Sequence, residues 1–386
     1  MGDFSSRGVM VDRLADVIVR YSTAVKPGDL VSIQADPIAL PLVEALTERI
    51  VAAGGHPYWQ CRSESIEQIL IETGADEQIA YIAPMDKFLM ETVDVRIALW
   101  AETNTRSLSS VDPAKSSLRV QARRPLMETS MRRFNEGSLR WCGTLFPTQA
   151  SAQDAEMSLR QYEQFVYEAG KLHLPDPVAA WRQVHDRQQI LRDWLQGKEE
   201  VRFFVPPHDG HDGTDLRVRV ADSTWINCSG HENFPDGEVF AGPQGADGHV
   251  NYTYPALHSG RGVEGVRLEF KGGRVVNAGA RKDEAYLVKM LDQDEGARNM
   301  GEIAIGTNYD IPSFSRNTLF DEKIGGTFHA AVGAGYPESG SSNKSGLHWD
   351  MVCELRPAPG RPGGTIEADG EVFSRDGEIL IAGWQG

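Results

Sequence analysis

The chain has 386 residues, 40% of them hydrophobic and 24% charged, enough to fill two domains of ordinary size with buried cores. Its formal net charge of −16 argues against a nucleic-acid backbone or an anionic membrane surface, both of which are bound through Lys and Arg, and favours cations as partners: metals, or substrates carrying an amine. Four scattered cysteines form no CxxC pair, so a thiolate zinc site is not expected, and isolated reduced thiols fit a cytoplasmic protein.

The first half alternates helix and strand signals. "VDRLADVIVRYS" spaces Val11, Leu14, Val17, Ile18 and Tyr21 as one helical face. No signal-peptide core precedes it, and no run reaches the ~18 apolar residues of a membrane span. "KPGD" then reads as a turn and "LVSIQA" as a buried strand. "DPIALPLVEALTERIVAAGG" reads as a helix with Asp36 as its N-cap and Gly54-Gly55 at its end. Further strands follow at "HPYWQC", "DVRIALWAE" and "LRWCGTLFPT", then helices at "AEMSLRQYEQFVYEAG" and "PVAAWRQVHDRQQILRDWLQG". This alternation predicts an α/β domain with a mostly parallel sheet over residues 1–197. The basic runs "QARRP" and "SMRR" read as helix or loop surface and not as an anion site.

From residue 198 to 386 the texture changes. Short β-rich runs are separated by Gly, Asp, Asn and Pro, and one helix, "DEAYLVKMLDQDEGARNMG", interrupts them. That pattern predicts a β-rich domain, a twisted antiparallel and barrel-like sheet.

Side chains that a core would not choose are concentrated in this half. In "GLHWDMVCEL", a strand puts Leu347, Trp349 and Met351 on one face and His348 and Asp350 on the other. A His and an Asp on an inward face need a partner: a metal, a substrate, a neighbour or water. "ENFPDGEVFAGP" places Glu238 after a turn, "GARNMGEIAIG" sets Glu302 before an apolar run, and "LFDEKIGGTFHAAVGAGYP" holds Glu322, His329 and Tyr336. Imidazoles and carboxylates together suit zinc, cobalt, manganese or iron(II). A His in an apolar strand is also commonly a hydrogen-bonded core residue, so pattern alone leaves both readings open. "PPHDGHDGTD", with His208, Asp209, His211, Asp212 and Asp215, reads as a solvated loop. There is no GxSxG and no HExxH.

Taken together, "YSTAVKPGDLVSIQAD", "LFPTQASAQDAEMSLRQYEQFVYEA", "NFPDGEVFAGP", "GARNMGEIAIG", "LFDEKIGGTFHAAVGAGYP" and "LHWDMV" resemble the thermophilic-aminopeptidase family of metallopeptidases over nearly the whole chain. The resemblance implies an α/β domain followed by a β-rich catalytic domain, a homodimer, and two divalent metal ions (zinc, cobalt, manganese or magnesium) acting on a peptide or small amide with a free amine. It implies metal ligation by Glu238, Glu302, His329, His348 and Asp350, with Glu322 a further acidic ligand. Glu302 and Tyr336 take catalytic roles under it. The chain departs from the family pattern in "DEKIGGTFH", which puts two more residues between Glu322 and His329. A similar fold serves ring-cleaving dioxygenases of hydroxylated pyridines such as 2,5-dihydroxypyridine. There a mononuclear iron(II) would need only His329, His348 and Asp350, and this is the alternative reading.

Overall fold

A computed structural model of the chain describes residues 4–384 apart from 110, 209 and 259, with only the backbone for residues 4–7; Asp209 of the acidic loop therefore lies outside the described residues. Two compact units emerge. One comprises Met1–Ala180 with Gly230–Pro235, the other Trp181–Ser229 with Asp236–Gly386.

The first unit carries the expected parallel sheet. Its strands run in the order His56–Cys61, Leu30–Ala35, Val95–Trp100, Arg140–Leu145, Asn233–Phe234, every neighbouring pair parallel. The Leu40–Ala52 helix follows a short turn that Asp36 caps by accepting from the Ile38 N–H. Between residues 64 and 92 stand three helices that the sequence did not announce, Glu64–Thr73, Asp76–Ile79 and Pro84–Thr92. The basic runs fall on one long helix, Pro113–Asn135.

The second unit is antiparallel and β-rich, as expected. An eight-stranded sheet and a five-stranded sheet face a common apolar core that holds Phe203, Leu216, Phe328, Trp349 and Met351. The interrupting helix is shorter than the sequence suggested, Glu284–Leu291. Beyond its end Asp294 accepts from the nearby Gly296 amide and, across the chain, from the Gly346 amide and the Ser345 hydroxyl, local and long-range bonds that compete with helical continuation.

The five-stranded sheet has the order His348–Glu354, Thr327–Gly333, Met300–Gly306, Glu238–Ala241, Ile226–Cys228. Its register decides what each face holds. Residues directly opposite one another in an antiparallel pair share a face. Ala331 pairs with Glu302 on one side and with Asp350 on the other; Gly333 pairs with His348, and Gly306 with Glu238. His329 lies two residues from Ala331 and so on the same face. The opposite face sends Val239, Ile303, Ile305, Phe328, Ala330, Val332, Trp349, Met351 and Cys353 into the core. One face is therefore hydrophobic packing, and the other collects the polar groups over a floor of Ala304, Ala331, Gly306 and Gly333. Those small residues leave room for what sits above them.

Candidate metal centre

The polar face lies wholly within the second unit. Glu238 begins its strand, and its position is fixed from behind. Gly237 takes φ of +128°, and a Cβ there would stand 2.7 Å from the Cβ of Asn308, so only glycine fits. The buried Gln188 side chain donates to the Glu238 carbonyl at 2.9 Å and to the Cys228 carbonyl at 2.8 Å, tying the Pro177–Leu195 helix to the strand ends. Glu302 enters where the pairing of Met300–Gly306 with Thr327–Gly333 shifts register between Met300 and Glu302. Such an irregularity re-aims a side chain locally.

His329 is at the centre and fully buried. Its Nδ1–H donates to the Glu322 carbonyl at 3.0 Å, and its Nε2 faces the carboxylates, where the protonated ring donates to Glu302 Oε1 and a cation would take the place of that proton. Nε2 lies 3.1 Å from Glu302 Oε1, 3.5 Å from Glu238 Oε2 and 3.9 Å from Asp350 Oδ1. Donor atoms of Glu238, Glu302 and His329 lie within 4.8 Å of one another, as do those of Glu322, His329 and Asp350. His348 is similarly oriented. Its Nδ1–H donates to the Ala334 carbonyl at 2.7 Å, and its Nε2 stands 3.3 Å from Asp350 Oδ2. Tyr336 lies at the rim, 39% exposed, with its ring edge-on to His348 at 5.4 Å and to Phe240 at 5.7 Å. Glu238, Glu302, Glu322, His329, His348 and Asp350 thus gather on one face, with Tyr336 at its rim.

The sequence reading missed Lys323. Its side chain is fully buried, and its Nζ donates to Glu238 Oε1 at 3.1 Å and to Glu322 Oε1. No periodicity signals it, since a lysine beside a glutamate ordinarily marks a surface.

The electrostatics follow from crowding. Burial pushes Glu238 up to about 8, against the pull of Lys323, and also raises Glu322. Burial alone would lower His329, but Glu302, Glu238 and Asp350 outweigh it and raise it to about 9. Asp350 raises His348 to about 11, and against its own burial is held well below the usual carboxylate range by that imidazole. The cluster draws positive charge to the His329 Nε2 position, whether a proton or a metal cation. Two buried oxygens in it, Glu238 Oε2 and Asp350 Oδ1, lack a hydrogen-bond partner. Buried carboxylate oxygens are rarely left so. Orphaned carboxylate oxygens beside an imidazole nitrogen whose proton a cation can displace are what a divalent cation needs, and the residues fit one.

The acidic loop does not join in. Asp212 is held by Arg267 at 2.7 Å, and Asp215 by Arg202 at 2.7 Å.

A polar strand face fit for a divalent cation on a β-rich unit, in a chain that also carries a parallel α/β unit, is the class this geometry defines. The model of one family, thermophilic metalloprotease (M29), matches residues 9–363, and the chain belongs to that family. Aminopeptidase 2 of Geobacillus stearothermophilus is 27% identical over 360 residues, covering 86% of each chain. Aminopeptidase T of Thermus aquaticus is 33% identical over 222 residues, 53% of this chain and 52% of that one. The solved structure of AmpT from Thermus thermophilus superposes with a TM-score of 0.81 over 97% of this chain and all of that one; at 23% identity it attests the fold. The resemblance read from the sequence is borne out, and the protein is a metallo-aminopeptidase by class, a hydrolase with a divalent-metal requirement. These relatives lend no support to the dioxygenase alternative. Among the described residues no helix is long and apolar enough to cross a membrane.

Proposed function

We propose that the chain removes N-terminal residues from peptides, or from small amides with a free amine, using a water activated at the Glu238–Asp350 cluster by two divalent ions. The observation that carries this reading is the convergence of three strand-borne carboxylates, Glu238, Glu302 and Asp350, on His329 Nε2, with Glu322 in the same cluster and two carboxylate oxygens unpartnered. Glu238, Glu302, Glu322, His329, His348 and Asp350 would hold the metal. When bound, divalent cations supply a water of lowered pKa and polarise the scissile carbonyl.

The chain's own groups do the rest. Glu302 takes the proton from the attacking water and returns it to the leaving amine. The excess of carboxylates attracts the protonated amino terminus of the substrate. Tyr336, half-exposed beside His348, donates its hydroxyl proton in a hydrogen bond to the developing oxyanion. Burial and the nearby carboxylates raise the Tyr336 pKa, so the phenol stays protonated for that task. Tyr336→Phe is expected to lower kcat about 10²-fold with little change in KM, the usual loss for one oxyanion donor. A kcat within twofold of wild type would remove Tyr336 from the mechanism. The homodimer and the cytoplasmic location belong to this same reading, the latter supported by four free cysteines.

The deciding experiment strips the protein with a chelator and restores zinc, cobalt, manganese, magnesium or iron(II) under argon. Each form is assayed on aminoacyl-nitroanilides, with oxygen uptake on 2,5-dihydroxypyridine in parallel. Hydrolysis that vanishes on stripping and returns with two ions per chain is expected. One iron per chain with oxygen consumption and no hydrolysis would replace the proposal with the dioxygenase.

A further inference from the structure

A second charged site lies in the first unit, among residues the hydrolytic chemistry does not use. Four elements converge on a pocket of about 290 Å³ there. Arg62 follows the His56–Cys61 strand, Arg96 sits in the Val95–Trp100 strand, Arg123 projects from the Pro113–Asn135 helix, and Asp86 comes from the Pro84–Thr92 helix. Met90 and Leu126 supply an apolar wall. In a chain of net charge −16, three guanidinium groups around one cavity reverse the prevailing sign.

Their partners do not balance them. Among the described residues Asp86 is the one carboxylate lining the pocket, and it is shared, 3.2 Å from Arg123 Nη1 and 3.7 Å from Arg62 Nη2. Arg96 has no carboxylate partner among the described residues, and its buried Nε–H has no acceptor. Three cations less one anion leave two positive charges. Burial, then repulsion from the other arginines, makes the charged forms of Arg62 and Arg96 harder to hold than usual. Arg62 and Arg123 keep contact with water, but the Arg96 Nε–H is shut from it without an acceptor, and an anion in the cavity would both satisfy that donor and relieve the crowding of like charges.

The rest of the helix shows that this is local. Arg124 pairs with Glu128 and Arg132 with Glu136 on its exposed side, while Arg133 turns inward to donate to the Met90 and Val93 carbonyls. Of the "QARRP" run, Arg124 stays on the exposed helix surface while Arg123, on the same helix, lines the cavity.

We propose that this pocket binds a small organic phosphate, held by Arg62, Arg96 and Arg123 with its organic part against Met90 and Leu126. A phosphate monoester concentrates two charges on three oxygens at one end, matching guanidinium forks that converge on a single cavity. A dicarboxylate separates its charges and matches less well.

The test is calorimetric titration of the metal-loaded enzyme with inorganic phosphate, phenyl phosphate and succinate at constant ionic strength. One saturable phosphate site per chain is expected, with phenyl phosphate tightest and succinate weakest. Arg96→Met and Arg123→Gln should each weaken it about tenfold, and Asp86→Asn should tighten it. Hydrolysis of nitroanilides without phosphate should be unchanged by Arg96→Met, which separates this site from the metal centre. If Arg96→Met does not fold, Arg123→Gln and Asp86→Asn carry the comparison. No saturable binding, or binding that both arginine variants leave intact, overturns the proposal.

Discussion

Glu302→Gln is expected to lower kcat by roughly 10³-fold while leaving the fold intact, the loss typical of removing a general base. The argument runs from the strand outward. Glu302 is 5% exposed and pairs across the sheet with Ala331, so its side chain has one direction open, toward His329 Nε2. Glutamine has the same shape and fills the same space, so no cavity opens and no strand shifts. It also removes one negative charge from a cluster that is overcrowded with them, which does not harm folding. What it cannot do is accept a proton from water. Near-UV circular dichroism and thermal midpoint should match wild type. Metal content per chain, measured alongside, separates the two roles given to Glu302. Full metal with lost turnover identifies the base, whereas lost metal identifies the ligand. Near-normal turnover would sink both.

The sequence made part of this site legible, for identifiable reasons. The alternation in His348–Glu354 could be read because strand geometry is local: Trp349, Met351 and Cys353 do enter the core while His348 and Asp350 face the other way. The run "TFHAAVG" likewise emerges as Thr327–Gly333, a strand with its bulky residues on the core face and small ones beside His329. The convergence itself was not legible from spacing. Glu238, Glu302, His329 and Asp350 come from four strands, and cross-strand register leaves no fixed interval in the chain. Only the resemblance brought them together in advance. The Asn233–Phe234 strand escaped because two residues have no period. The three helices between 64 and 92 escaped because their apolar faces are narrow: Ile66 and Ile69 are exposed, and Ile71 alone of the Glu64–Thr73 helix is buried. Lys323 escaped for a stronger reason. Nothing in "DEKIGG" says that its ammonium will be buried; that depends on Glu238, 85 residues earlier, arriving on the same face.

Lys323→Met is therefore expected to be the most damaging single change to the metal-free protein. Methionine approximates the lysine stem, so the loss is almost purely one of charge. Glu238 Oε1 and Glu322 Oε1 then face each other across the cluster without the cation they share. Removing one partner of a buried ion pair costs about 3–5 kcal/mol, because the surviving charge is left unpaired. In the second unit this should lower the thermal midpoint by roughly 10 °C. A divalent ion can offer the same carboxylates a replacement cation. Added metal should then raise the midpoint more in Lys323→Met than in wild type, since a ligand that binds only the folded state stabilises in proportion to how tightly it is held. A metal-free midpoint within ~2 °C of wild type would mean that the two glutamates are neutralised by protonation and not by Lys323. Equal metal-induced gains in both proteins would mean that Lys323 and the metal do not share carboxylates. The expected pattern, a deep loss without metal and a larger recovery with it, would make Lys323 the group that holds the cluster together until metal arrives.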